Sequence, residues 1–394
     1  MNTNNRWLLP EGVDEILPPK AILLEQICRK IIDLYTTWGY EFVIPPMVEY
    51  LESLLTATGE DLDLQTYKIT DQISGRLMGV RADITPQVAR IDAHLMKQDT
   101  PTRLCYLGSV LHSRSDSFGD SRSPLQLGAE LFGHAGVSSD IEIVKLMLAT
   151  LNSLEIDNIC IDIGHIGIFR SLISESKLTP EKEMEVFEIV KRKAKDELKK
   201  FYKKLKINDN SSKALLDLVD LHGDVSILED ATKSIAKFFP EVKKHINEIK
   251  AVSESIADEP NLSINVDLAE LRGYNYHTGM IYTAYVLDQG KGVAFGGRYD
   301  DIGRAFGRAR PATGFSADVK QLLELHNCEK VKITRIFAPS DSDPALKKKI
   351  KDLREQGKIV VQELEGQKHT AVEMNCSLSL IHENNDWIIK DNKK

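Results

Sequence analysis

A chain of 394 residues is too long for one small core, so two or three folding units are expected. Its 42% apolar and 28% charged content is that of a globular protein, and no run approaches the roughly eighteen uninterrupted apolar residues of a spanning helix, which argues against a membrane span. The net charge of -8 argues against extensive nonspecific contact with phosphate backbones. Five scattered cysteines (Cys28, Cys105, Cys160, Cys328 and Cys376) show no ligand spacing, so neither a zinc site nor a disulfide framework is supported. The first residues lack a basic start followed by an apolar run, and a cytoplasmic protein is the expectation.

Apolar residues at Ile22, Leu23, Ile27, Ile31 and Leu34 predict a helix over 20–38, ended by Gly39. Tyr40–Ile44 reads as a strand halted by Pro45 and Pro46. Thr85-Pro86 is a helix start, with Thr85 as N-cap and a helix to about Lys97 burying Val88, Ile91 and Leu95. Two short apolar runs, 104–107 and 125–127, flank Ser113–Pro124, a segment rich in Ser, Asp and Gly that reads as a mobile hairpin loop. Ile141–Leu154 follows as an amphipathic helix and Ile159–Ile163 as a strand.

Between about 178 and 260 almost no strand-like run occurs, and the stretch reads as a helical insertion. Residues 181–206 hold ten Lys or Arg against six Asp or Glu. The basic helix near 191–206 is either a solvated face or a surface for nucleic acid or a partner, and the solvated face is preferred. Strand patterns resume at Leu262–Leu268 and Met280–Val286, and Ala317–Leu325 reads as a helix. The last 64 residues form a separate α/β unit: strand 336–338, helix 344–355, strand 358–364 and a hairpin joining 378–381 to 387–390. Residues 1–330 and 331–394 are thus the expected domains.

A pocket for a zwitterionic amino acid with a polar ring needs acceptors for the ammonium, an arginine for the carboxylate and a donor and an acceptor for the ring. Asp83, Thr85 and Gln126 suit the ammonium, Arg272 the carboxylate, and Glu130, Tyr276, His277 or Tyr299 the ring. Each has a plainer alternative. Asp83 and Thr85 also suit helix caps, and Arg272-Gly273 a surface turn. Tyr276 and His277 also suit packing, and Gly296-Gly297 a turn using positive φ. Glu130 lies in an apolar run, where a buried carboxylate needs a partner. No dinucleotide fingerprint, Walker loop or nucleophilic triad motif is present.

LPEGVDEILP at 9–18, RADITPQVAR from 81, QLGAELFG at 126–133, LRGYNYHTG at 271–279 and GGRYDD from 296 stand in one order. Together they resemble the catalytic domain of histidyl-tRNA synthetase, and in particular its catalytically inactive relatives, the regulatory subunits of ATP phosphoribosyltransferase. The resemblance covers nearly the whole chain. It implies an α+β, class II aminoacyl-tRNA synthetase-like fold: an antiparallel sheet flanked by helices, with the insertion and the small C-terminal unit added. The helix, Gly39, strand and Pro46 resemble the class II dimerisation motif. By position, Asp83, Thr85, Gln126, Glu130, Arg272 and Tyr299 look like the synthetase's histidine contacts, while His277 stands where the synthetase has a second tyrosine.

Active synthetases carry Phe-Arg-x-Glu in their second motif, where this chain has Leu111-His112-Ser113-Arg114. Their third motif ends in Glu-Arg, where Lys320-Gln321 stands here. An arginine fork on a phosphate is a bidentate contact that glutamine cannot replace, so amino-acid activation is expected to be lost. The resemblance implies a noncatalytic subunit that pairs with a short catalytic subunit, forms a dimer within a hetero-oligomer, and takes histidine as effector. It implies no cofactor, no metal and no membrane partner, and nucleic acid is not expected. The rival readings are a working histidyl-tRNA synthetase and a tRNA-binding relative.

Overall fold

The computed structural model describes residues 7–56, 60–115, 121–287, 290–326 and 334–392. Two compact units divide the chain, Met1–Asn327 and Cys328–Lys394. Among the described residues no helix is long and apolar enough to cross a membrane.

The larger unit opens with a helix, Lys20–Thr37, followed by short strands β1 (Glu41–Val43) and β2 (Val48–Tyr50). Strands β3 (Tyr67–Thr70) and β4 (Leu77–Val80) pair with β2 in a three-stranded antiparallel sheet, order β2-β4-β3, which the sequence reading lacks. Strands β5 (Thr102–Ser109) and β6 (Leu125–Phe132) form a hairpin, and residues 116–120 of the expected mobile loop lie outside the described residues. After helix Val137–Ser153 come β7 (Ile159–His165), a run of helices from Ile166 to Ser255, the two-residue strand β8 (His222–Gly223) and β9 (Leu262–Asp267). Strands β10 (Met280–Val286), β11 (Gly292–Arg298) and β12 (Ala312–Asp318) and helix Val319–Leu325 complete the unit.

Nine of these strands form one sheet in the order β1-β5-β6-β12-β11-β10-β7-β9-β8, antiparallel except for the β1–β5 and β7–β9 pairs. Alternation along each strand gives the sheet two faces. One carries Leu127, Ala129, Leu131, Ile161, Ile163 and Ala284, which pack with Ile31, Ile143, Met147 and Ile249 from the covering helices. Each of the leucine, isoleucine and methionine side chains removed from water contributes about 1.5–3 kcal/mol, so this face anchors the unit. The other face is the floor of the site described below.

Four local expectations are corrected. Helix Thr85–Arg90 continues through Ile91–Met96 with a widened turn, closed by the Lys97 amide on the Asp92 carbonyl five residues back (3.0 Å). The extra residue rotates the face, so Asp92 and Ala93 are buried and Leu95 is 70% exposed. Thr85 does not cap that helix: the Asp83 carboxylate accepts the Thr85 amide (3.1 Å), leaving the threonine hydroxyl for the site. Finally, Phe295–Arg298 is not a turn but the end of β11, and Ala317-Asp318, read as helix, closes β12. Gly296 has no room for a Cβ beside the Tyr282 ring and the Gly314 carbonyl, nor Gly297 beside His277 and the Met280 carbonyl. Close packing, not positive φ, requires these glycines.

The C-terminal unit is a four-stranded sheet, order β14-β13-β15-β16, built from β13 (Arg335–Ala338), β14 (Ile359–Gln362), β15 (Leu378–Glu383) and β16 (Asp386–Asp391). Helix Pro344–Glu355 packs on it through Leu346, Ile350 and Leu353. Asn384 and Asn385 turn the β15–β16 hairpin with φ of 50° and 64°, the left-handed values asparagine tolerates.

Candidate functional site

Two cross-strand rows on the open sheet face make the floor of a cavity of about 230 Å³. One row runs Asp162, Thr283, Phe295, Ser316, Gly128, Tyr106 across β7, β10, β11, β12, β6 and β5. The next runs Gly164, Ile281, Gly297, Gly314, Glu130. The glycines hollow the surface where a side chain would fill it. A Cβ on Gly314 would collide with the Glu130 carboxylate, and one on Gly128 with the Tyr106 ring. The volume lies below the roughly 300–1,000 Å³ of drug-sized sites and suits a molecule of amino-acid size.

Glu130 is 1% exposed and sits in a cage of hydroxyls. Tyr299 donates to its Oε2, while Thr85 and Tyr106 both lie 3.1 Å from its Oε1 and 2.9 Å from each other. Burial pushes its carboxyl up to about 8, reinforced by the charge of Asp83 and opposed by the bonds from Tyr299, Thr85 and Tyr106. At neutral pH it is mostly protonated and keeps one O–H donor. Tyr276 stacks on Tyr299 with centroids 5.1 Å apart, and His277 meets Tyr276 edge-on at 5.1 Å. The Tyr276 hydroxyl and His277 Nδ1 are buried without a hydrogen-bond partner among the described residues. Such orphans cost about 1–3 kcal/mol each unless a ligand or water meets them. Burial holds the His277 imidazole down at about 4, so it is neutral.

Asp83 lines one end of the cavity, oriented by Gln126, whose Nε2 donates to its Oδ1 (2.7 Å) and whose Oε1 accepts the Ile84 amide (2.9 Å). Gln126 itself is not on the cavity wall and acts through Asp83. Arg272 stands at another side, reaching Thr283 Oγ1 (3.2 Å), Tyr285 Oη (3.1 Å) and Glu270 (3.3 Å), with its guanidinium over the Phe295 ring and its side chain 50% exposed. Seven of the eight residues expected from the sequence therefore line one cavity. Asp162, Glu270, Thr283 and Ser316 line it too and were missed. For Asp162, Thr283 and Ser316 the signal was a period-two series of polar residues and glycines inside apolar strands, whereas Glu270 lies in the turn after β9.

Arg272 and Phe295 also border a larger cleft of about 910 Å³, into which the cavity leads. His112 and Gln321 face that cleft but are spoken for: His112 Nε2 bonds the Ala82 carbonyl (2.9 Å) and Gln321 Nε2 the Gly292 carbonyl (3.2 Å). Two of its lysines are paired as well, Lys20 with Glu324 (2.6 Å) and Lys320 with Asp14 (3.5 Å). Arg114 is exposed elsewhere, and Arg272 is the one arginine on the cleft among the described residues. No arginine fork for a triphosphate is formed there.

Two other clusters have metal-ligand composition. His165, His245 and Glu248 converge within 4.8 Å. Glu248 Oε2 lies 3.1 Å from both rings, and His165 Nδ1 accepts the Gly167 amide (3.0 Å), so its N–H sits on Nε2 facing Glu248. That is a closed hydrogen-bond triad. Asp162, Asp267 and Glu270 are likewise engaged, by Asn265 (2.8 Å), Lys193 (2.6 Å) and the Arg272 amide (2.8 Å).

Against known proteins, the histidyl-tRNA synthetase family matches residues 12–322, and the family described as "ATP phosphoribosyltransferase subunit HisZ C-terminal domain" matches 333–390. A protein of Thioalkalivibrio sulfidiphilus named ATP phosphoribosyltransferase regulatory subunit is 50% identical over 99% of this chain and 100% of its own. The chain belongs to the ATP phosphoribosyltransferase regulatory subunit family. A namesake from Methylococcus capsulatus is 46% identical over 98% of this chain and 96% of its own. Among solved structures, a regulatory subunit/histidyl-tRNA synthetase of Bacillus halodurans matches with a TM-score of 0.83 at 24% identity, covering 95% of this chain and 97% of that one. A histidyl-tRNA synthetase of Nostoc matches at 0.76 and 19%, covering 95% and 91%. These two likenesses show the fold, an α+β class II synthetase-like one. Members of this family are noncatalytic subunits of an enzyme complex, in keeping with a cleft whose nucleotide-gripping positions are otherwise occupied.

Proposed function

We propose that this regulatory subunit senses histidine in the cavity around Glu130 and relays feedback inhibition to a short catalytic subunit, which joins ATP to phosphoribosyl pyrophosphate in the first step of histidine biosynthesis. One observation carries the reading: a buried Glu130 held by three hydroxyls shares its cavity with the Tyr276 hydroxyl and His277 Nδ1, unpartnered among the described residues, and with Asp83 and Arg272. Asp83 takes the ligand's ammonium and Arg272 its carboxylate. The ring lies along Tyr276 and Tyr299, with its nitrogens toward Glu130 and the orphaned groups. For inhibition, histidine must favour one conformation of the complex over another, since tight binding alone shifts nothing.

Dimerisation through helix Lys20–Thr37 and the β1 edge is part of the same reading. Phe42 (39% exposed), Ile44 (78%) and Met47 (46%) give that edge an apolar rim, and sedimentation of the purified chain tests it. A cytoplasmic setting fits the free cysteines Cys28, Cys105, Cys160 and Cys376. Calorimetric titration of histidine tests the sensor role. Wild-type protein binds, Glu130→Ala and Arg272→Ala bind weakly or not at all, and unchanged affinity in both variants would place the effector site elsewhere.

A further inference from the structure

The cleft into which the cavity leads is bordered by an N-terminal strap, Glu11–Leu17, through Asp14, Glu15, Ile16 and Leu17. The strap is held unevenly. At its start, the Arg122 amide donates to the Gly12 carbonyl (2.6 Å), and Arg122 Nη1 to the Glu11 carbonyl (3.0 Å). Gly12 takes φ of 73°, a bend that glycine makes without strain. At its far end Lys20 pairs with Glu324 (2.6 Å). Between these anchors residues 13–17 form no helix or strand, and the amides of 14–17 donate no hydrogen bond among the described residues. Among the described residues the middle makes side-chain polar contacts only through Asp14, with Lys320 Nζ (3.5 Å) and the Ser121 hydroxyl (3.5 Å), both long. Leu17 is 65% exposed, and the apolar hold on the middle comes from the half-buried Val13 and Ile16.

The anchor also reaches the cavity. Arg122 Nε donates to the His112 carbonyl (3.0 Å), and His112 Nε2 bonds the carbonyl of Ala82, the residue before Asp83. Lys320 further donates to Ser123 Oγ (3.3 Å), beside the β6 hairpin that carries Glu130. A start tethered by Arg122, a weakly latched middle and a place on the wall of the cleft describe a segment that opens as a unit.

Resting on the histidine reading above, we propose that Glu11–Leu17 gates the amino-acid cavity, hinged at Gly12 and latched by the Lys320–Asp14 ion pair. Latch loss lowers the barrier for entry and exit alike, because neither latch residue lines the amino-acid cavity. The test is stopped-flow binding and chase-induced release of histidine with full-length protein. Asp14→Ala and Lys320→Ala each raise both rates by about threefold, the effect of one half-exposed ion pair, while Kd moves less than twofold. The exchanged pair Asp14→Lys with Lys320→Asp returns both rates toward wild type. Unchanged rates in both single variants, or faster release with unchanged entry, overturn the gate. If wild-type protein binds no histidine at all, the sensor reading falls and the gate with it, which separates the two failures.

Discussion

Replacing Glu130 with glutamine should stabilise this protein near neutral pH while costing it its ligand. The buried carboxyl titrates at about 8 against 4.5 when free. Between those values the folded state keeps a proton that the unfolded state has released, so the folded state binds more protons and stability falls as pH rises from about 4.5 to about 8. Below that window the contribution is fully present, and above it the loss is complete. At pH 7 the loss amounts to about 3 kcal/mol, since one unit is worth about 1.4 kcal/mol. A glutamine has no proton to lose and avoids it. The amide must turn one of the contacts from Thr85, Tyr106 or Tyr299, at about 1 kcal/mol. The net expectation for Glu130→Gln is a gain of about 2 kcal/mol at pH 7, seen as a rise of about 3 °C in the thermal midpoint of the larger unit. The gain shrinks toward pH 5 and grows toward pH 8. Scanning calorimetry of both proteins at several pH values reads it directly. A variant less stable than wild type by the same amount at every pH would mean that Glu130 is ionised throughout, and the reasoning would fail.

Arg272→Ala should weaken histidine binding by about 10- to 100-fold in calorimetry, the worth of a charge-assisted bond, with little change in thermal midpoint because the side chain is 50% exposed. Gly314→Ala drives a Cβ into the Glu130 carboxylate and should lower stability by about 1–3 kcal/mol and abolish binding; a denaturation curve matching wild type would contradict the crowded floor. ATP–pyrophosphate exchange with histidine should stay at background, because His112 and Gln321 are bound to backbone carbonyls; robust exchange would refute the loss of activation.

Much of this site could be read before the fold was known because its groups cluster in short segments whose residue types make sense together. Asp83, Thr85, Glu130 and Arg272 are costly to bury or constrain, and such residues beside glycines stand out in a sequence. What did not stand out depended on register. Asp162 and Thr283 look like ordinary interruptions of apolar strands until pairing places them side by side. Gly296 and Gly297 read as a turn because spacing carries no information about the Tyr282 ring or the Gly314 carbonyl across the sheet. Leu95 was misplaced because one widened helical turn, unsignalled by periodicity, exchanged it for Asp92, which finds Arg310 at 2.6 Å. The sheet of β2, β4 and β3 escaped because strands of three or four residues are too short for alternation to show.

The cavity floor and the cleft differ in what can move, and that difference bears on how a signal could leave the site. The floor is made by interior strands, each paired on both sides, with the opposite face packed under helices. Such a surface is close-packed and stiff, so histidine gains little by deforming it. A ligand can shift a conformational equilibrium only through contacts that differ between the two states. Those contacts must therefore lie at the margin, at the half-exposed Arg272, rather than at Glu130. Glu130 then supplies affinity and ring recognition, and the positions that grip nucleotide in a synthetase, here His112 and Lys320-Gln321, hold the parts free to respond. On this division, variants at Glu130 lose histidine altogether. Variants at Lys320 or Asp14 keep histidine but change how quickly it comes and goes.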